Sequence, residues 1–201
     1  LYYNIETVKI SKLLPKQKEK IETKNTDFLS HDAGQFLNSI PELSGIRKAG
    51  SYATDPVLRG FKYEQLNLIT DGAATSVNAC PNRMDPASSQ ISMNIVKEAE
   101  IYKGPYFFRY GSAIGGTINF ISFDPEFTDK TTFGGRISTG FESNGSVLRN
   151  ELIGTLTTKK LAWDIFGSYQ KGNRYEDGNG DEVPSKFERY NLGTKGNYKW
   201  N

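Results

Sequence analysis

The sequence is poor in sulfur and in imidazole. Its 201 residues hold one cysteine (Cys80), two methionines (Met84 and Met93) and one histidine (His31). A single cysteine excludes an internal disulfide, so cysteine usage does not fix the compartment. An odd cysteine in an exported protein points instead to a reactive thiol or a ligand. One histidine, placed beside the N-terminal arm, supports no Ser/His/Asp triad. No apolar run approaches the ~20 residues that a membrane-spanning helix needs. A marked excess of either charge is missing as well: 25 Lys+Arg face 23 Asp+Glu, a formal net charge of +2. That balance carries no polyanion-binding signature and argues against a nucleic-acid protein. "GSAIGG" lacks the Lys-Ser/Thr that would make a glycine loop cradle phosphates. There is no initiator methionine and no signal peptide, so in an exported protein the signal has been removed or was not included.

Apolar content is low too, at 36% with a mean hydropathy of −0.56, little for a compact globule with a large core. Glycine, at 20 residues, and aromatics, at 12%, are plentiful. Many glycines and rings with few aliphatics suit a β-protein whose strands are wet on one side. A transmembrane barrel is compatible with this, because its strands alternate and escape hydropathy scans.

Residues 1–27 combine a short alternating run with a Lys-rich polar stretch and read as an extended, mobile N-terminal arm. From Asp32 the pattern changes. Ala33, Phe36, Leu37 and Ile40 fall on one face of a short helix, with Asp32 as cap and Pro41 as stop. "DPVLRGF" reads as a strand ending at a glycine. "EQLNLITDG" places Leu66 and Leu68 on one face before an Asp-Gly turn. Asp85-Pro86 predicts a helix start, with Asp as N-cap, Pro at the first helical position, and Ile91 and Ile95 facing inward. "EAEIYKGP" is a further short strand, and "RYGSAIGGTINFIS" is a glycine-rich bend running into another. Residues 28–123 thus read as a small mixed α+β domain.

Beyond it, four segments alternate strictly. Phe133, Gly135, Ile137, Thr139 and Phe141 oppose Thr132, Arg136 and Ser138. Leu152, Gly154 and Leu156 oppose Glu151 and Thr155. Leu161, Trp163, Ile165 and Tyr169 oppose Asp164, Ser168 and Gln170. Tyr190, Leu192, Tyr198 and Trp200 oppose Arg189, Asn191, Lys195 and Lys199. Strands of this length and alternation, with rings near their ends, are what an outer-membrane barrel wall requires. "SNGS" and "TTKK" are tight turns, whereas 172–185 is a longer polar loop. If the first strand runs outward, the second turn is periplasmic and the long loop is outside. A soluble sandwich with one wet face shares this periodicity. Four strands cannot close a barrel, and an open sheet leaves unpaired edges in lipid. On the membrane reading the chain is a fragment or is completed by another chain. Asp177, Asn179 and Asp181 in "DGNGD" resemble the start of a Ca²⁺ loop, but the downstream Glu is missing, and the segment reads as a solvated turn.

"DAGQFLNSIPELSGI", "DPVLRGF", "LNLITDG" and "EIYKGPYFFRYGSAIGGTINFIS" occur in that order, followed by the alternating strands. Together they resemble the plug domain of TonB-dependent outer-membrane receptors. The resemblance implies an α+β plug followed by antiparallel strands of a transmembrane β-barrel, here about four of the about 22 such receptors carry. It implies residues 1–27 as an arm, 28–126 as plug and 127–201 as first barrel strands. It places the chain in the bacterial outer membrane, makes it a non-enzyme, and implies a TonB-type periplasmic partner that adds a short N-terminal segment as a strand. The candidate for that segment is Ile5, Glu6, Thr7, Val8 and Lys9, which lacks the family's usual run of valines. Arg59, Gly60, Asp71, Gly72, Gly104, Gly111, Gly115 and Gly116 match plug signature positions, and Lys103 stands where the family usually has arginine. The glycines read as structural: turns and close backbone approach without ligand contact.

"CPNRMDP" further resembles the plug loop of copper receptors in this family, where a Cys-x-x-x-Met pair binds the metal. A thiolate and a thioether are soft donors that select copper, above all Cu(I), over hard cations. Pro81 and Pro86 argue for a loop, which can still turn both sulfurs to one point. Two donors make a weak site, and the resemblance puts the others on the barrel. His31 and Met93 do not match that barrel motif. The sequence therefore predicts a receptor that imports copper, as Cu(I) or Cu(II), captured by Cys80 and Met84. An iron-siderophore or other organic cargo, with Cys80 incidental, is one alternative. A secreted β-rich adhesion module is another.

Overall fold

In the computed structural model, residues 18–30, 32–49, 53–75 and 85–200 are described. They form two units that differ in what they turn inward.

The first unit is built around a five-stranded sheet with the order β1-β7-β8-β5-β6. Its strands are β1 (Lys18–Glu22), β5 (Leu66–Thr70), β6 (Ala74–Thr75), β7 (Val96–Lys103) and β8 (Gly116–Ser122). β5 and β8 run parallel, with Leu66 opposite Gly116, and such a pair needs a long crossover rather than a hairpin. Residues 71–115 supply it, with β7 folded inside as the antiparallel partner of β8. β8 is the central strand and is buried on both faces, as its apolar "TINFI" run requires. Beside the sheet stand α1 (Ala33–Leu37) and a three-stranded layer of β2 (Leu43–Ala49), β3 (Ala53–Leu58) and β4 (Phe61–Lys62). The Asp32 carboxylate accepts from the Gln35 amide at 2.8 Å and caps α1, and Phe36 and Leu37 enter the core. Leu58, Ile101, Ile118, Phe120 and Met93 meet them there. Each such side chain contributes about 1.5–3 kcal/mol by leaving water.

Two expectations need correction. Lys18–Glu22, read from sequence as part of a mobile arm, is a strand paired with β7 in register Lys20 to Glu100. Ion pairs hold it: Lys18 to Glu100 at 2.7 Å, Lys20 to Glu98 at 2.8 Å and Lys103 to Glu19 at 2.8 Å. The helix expected at Asp85-Pro86 is a 3-10 turn, Ala87–Gln90, with Pro86 extended at its cap. The serines explain the difference. Ser88 Oγ donates to the Thr54 carbonyl at 2.6 Å, and Ser89 Oγ to Asp85 and to the Pro86 carbonyl. Such local bonds compete with helix propagation.

The second unit is a four-stranded antiparallel wall, order β14-β11-β10-β9. Its strands β9 (Thr132–Glu142), β10 (Val147–Thr157), β11 (Leu161–Gly172) and β14 (Phe187–Tyr198) are 11 or 12 residues long, enough to cross a bilayer when tilted. The alternation reads as the sequence predicts: Ile137 and Leu192 are each 81% exposed, whereas Arg149 and Glu151 are 7% exposed and turn toward the first unit. The expected tight turns are present at 143–146 and 158–160. The 172–185 loop carries a short hairpin of β12 (Tyr175–Glu176) and β13 (Glu182–Val183). At its tip Asp177 accepts from the amides of Asn179 and Asp181, a self-contained exposed turn. No helix among the described residues is long and apolar enough to cross a membrane.

Candidate functional site

Cys80 and Met84 lie outside the described residues, as do His31 and the segment Ile5–Lys9. What the structure defines is the frame on either side of residues 76–84. Upstream, β5 is followed by Asp71 and Gly72, both in the left-handed backbone region (φ 52° and 69°). The Asp71 carboxylate accepts from the Ser122 amide at 2.8 Å and from Ser122 Oγ at 2.6 Å, and Asn119 accepts from the Gly72 amide at 3.0 Å. This turn is thus fastened to the end of β8, and β6 pairs back onto β5 before the segment begins.

Downstream, the chain returns at Asp85. Its carboxylate accepts from Ser89 Oγ at 2.6 Å and from Gln90 Nε2 at 2.7 Å. The Thr54 carbonyl holds Ser88 on one side. On the other, wall residue Arg189 donates to the Ser89 carbonyl at 2.6 Å and to Gln170 at 2.6 Å. Both ends of the Cys/Met segment therefore emerge from fixed points. Met93 is 1% exposed within the apolar core, so it is no third soft ligand. Among the described residues no group of His, Cys, Asp and Glu is arranged to hold a metal.

The signature positions occupy joints of the first unit. Arg59, at positive φ with Gly60 in the turn between β3 and β4, pairs with Glu42 at 3.1 Å. Lys103 pairs with the same carboxylate at 2.7 Å. Hydrogen bonds from Lys103 and Arg59 hold the Glu42 carboxyl below its ordinary range. The Gly104 amide donates to the Gly115 carbonyl at 3.0 Å, and the Gly115 amide to Gln65 at 2.8 Å. Gly111 closes the intervening turn by donating to Phe108 at 3.2 Å. Gly116 sits at φ 140°, and a Cβ there would come within 2.3 Å of the Tyr102 carbonyl; only glycine allows that approach.

Two buried carboxylates titrate in opposite directions. Burial pushes the Asp32 carboxyl up to about 7, against the hydrogen bond from Gln35 and the charge of Arg189. Burial also acts to raise Glu100, but hydrogen bonds from Lys18 and Tyr102, with the Lys18 charge, outweigh it and bring that carboxyl to about 2.

The wall grips the first unit through cations. Arg136 donates to the Asn94 carbonyl at 2.7 Å, and Arg149 donates to the Leu29 carbonyl. Lys195 donates to Ser122 at 3.0 Å and pairs with Asp124 at 3.2 Å. The alternation put Arg136, Arg189 and Lys195 on the inward face, but Arg136 and Arg189 reach main-chain oxygens of the first unit, which leave no mark in a sequence, and only Lys195 reaches side chains there.

This geometry, a mixed α+β unit held by the polar face of a membrane-length sheet, defines a plugged barrel wall, and the comparisons with known proteins agree. The TonB-dependent Receptor Plug Domain family matches residues 18–117. Among solved structures, the chain is similar to a protein described as copper transporter OprC. Identity is 28% and the TM-score 0.82, over 92% of this chain and 28% of that one. Two others show the fold alone. The siderophore receptor PirA from Pseudomonas aeruginosa has 18% identity and TM-score 0.63, over 94% of this chain and 33% of that one. The FrpB iron transporter from Neisseria meningitidis has 18% identity and TM-score 0.68, over 90% and 29%. No curated protein sequence matches the chain. The chain carries the plug and first wall strands of a TonB-dependent receptor and belongs to that family, whose members are outer-membrane proteins of bacteria and not enzymes. It spans about a third or less of the length of the structures it matches.

Proposed function

We propose that the whole receptor imports copper, captured on its plug by Cys80 and Met84. One combination carries this reading. The sequence's only thiol and one of its two thioethers stand four positions apart, in a chain 28% identical over 92% of its length to a copper transporter. Thiolate and thioether donors favour copper over oxygen-seeking cations. The fixed points at Asp71 and Asp85 favour it too, because a segment with anchored ends loses less entropy on binding an ion. The remaining donors come from wall strands beyond those present here. Residues 1–27 serve as the arm, 28–126 as the plug and 127–201 as the first wall strands, with Lys18–Glu22 laid back onto the plug sheet. A TonB-type periplasmic protein pairs with Ile5–Lys9 as an added strand and pulls. The turn at 158–160 then faces the periplasm, and the 172–185 hairpin the exterior.

Copper titration of the full-length receptor tests this. Cys80→Ser and Met84→Ala are each expected to weaken copper binding at least about tenfold, near the net value of one lost charged or soft contact, with the fold intact by circular dichroism. Parent-like copper affinity in both variants would transfer the cargo to the second reading, an organic chelate of iron.

A further inference from the structure

The wall carboxylate Glu151 has an arginine on either side, Arg136 and Arg149, yet it is bonded to neither. Cross-strand register sets Glu151 opposite Ser138 and Ile153 opposite Arg136, with Arg149 two residues before Glu151 on the same strand. All point inward, and diagonal and i,i+2 neighbours on a sheet face lie within reach of long side chains. Glu151 Oε2 accepts from Ser138 at 3.0 Å. Its Oε1 is buried and has no hydrogen-bond partner among the described residues. Both arginines lean away, to the plug. Arg136 reaches the Asn94 carbonyl at 2.7 Å with its guanidinium 4.0 Å from the centre of the Phe28 ring. Arg149 reaches the Leu29 carbonyl. Between them lies a cavity of about 230 Å³ lined by Phe28, Leu29, Arg136, Ser138, Arg149 and Glu151.

We infer that Glu151 is the reserve acceptor of a two-position latch. With the plug seated, Arg136 and Arg149 hold plug carbonyls. When residues 27–30 and 94 leave the wall, the cavity gives both guanidiniums room to swing onto the vacant carboxylate oxygen. The plug then lets go without leaving two unpaired charges against the wall, and reseating reverses the exchange. The physical basis is asymmetry. Breaking a guanidinium-to-carbonyl bond costs less than leaving that charge buried and unpaired while the joint opens, before water reaches it. A spare carboxylate removes the larger barrier and leaves the smaller as the grip.

The device rests on the pulled-plug part of the proposed function and is independent of the cargo. The full-length receptor in lipid bilayers is pulled at constant force by its N-terminal arm, with no periplasmic partner present, and release of segment 27–30 is timed. Glu151→Gln keeps size and the Ser138 bond but removes the charge, and slows release about tenfold. Arg149→Met speeds release and shrinks that slowing. With Arg136→Met added, Glu151→Gln has no effect. Should Glu151→Gln fail to fold, faster release in Arg149→Met remains the required result. Release that is unchanged in Glu151→Gln or in Arg149→Met, or a slowing that persists without both arginines, overturns the latch alone. A parent receptor whose segment stays on the wall under load overturns the latch and the pulled plug together.

Discussion

The plug and the wall use similar residues in opposite ways. In the plug, Phe36, Leu58, Ile101, Ile118 and Phe120 face one another, and the lysine–glutamate ion pairs gather along β1 and β7. In the wall, Phe133, Ile137, Leu192 and Trp200 face out, and Arg149, Glu151, Asp164 and Gln170 face in. One unit minimises apolar contact with water. The other places apolar groups in hydrocarbon and keeps its polar groups for a lumen. The same alternating chemistry thus has no fixed inside, and the surrounding solvent decides which face is buried. Where the two meet, the contact is hydrogen-bonded and ionic, a joint that holds and still lets go.

The contrast can be broken most directly in the plug core. Phe120→Ala removes a fully buried ring and is expected to destabilise the plug by about 3–5 kcal/mol, read by hydrogen exchange along β8. Leu192→Ala, on the outer face of the wall, should leave that exchange unchanged. Charge reverses the sensitivity: Ile137→Arg, at the centre of β9, is expected to cost about 2–4 kcal/mol in lipid, read as the folded fraction in bilayers. If Ile137→Arg is neutral there, the outward face does not meet hydrocarbon. A smaller effect sharpens the joint. Asp71→Ala strips two acceptor contacts from Ser122 and places alanine at φ 52°, with an expected loss of about 2 kcal/mol.

pH tests the buried charges of the plug. Glu100 has a lowered carboxyl pKa, so its ion pairs with β1 are fully present above the ordinary carboxylate range and are lost as pH falls toward about 2. The β1 amides should open over that window, and Glu100→Gln should abolish the dependence. Asp32 runs the other way. Its carboxyl is raised to about 7, so ionising it costs stability increasingly as pH climbs from the ordinary carboxylate range through about 7. Asp32→Asn keeps an oxygen for the Gln35 amide and should flatten that slope.

Much of this was legible in the sequence because it rests on local rules. The Asp32 cap, the inward Leu66 and Leu68, and the period-two wall from Phe133 to Tyr198 all follow from side-chain type and spacing. β1 was not legible, because "KEKIE" has the composition of a solvated arm and becomes a strand only when Glu98, Glu100 and Lys103 stand beside it. The 3-10 turn at Ala87–Gln90 was misread as a helix because the serine targets, Thr54 above all, are remote in sequence. The arginine grip was half legible: parity gave the face, while the carbonyls of Leu29, Ser89 and Asn94 that receive it depend on the docked plug. The Cys80 and Met84 pair is a matter of chemistry and resemblance, and the structure contributes its anchors at Asp71 and Asp85.

X-ray absorption at the copper edge, on the copper-loaded full-length receptor, bears most directly on the capture of the metal by the plug. The proposed site predicts sulfur in the first coordination shell, reduced in Cys80→Ser and again in the double variant with Met84→Ala. A shell of nitrogen and oxygen alone, identical in parent and variants, would contradict it.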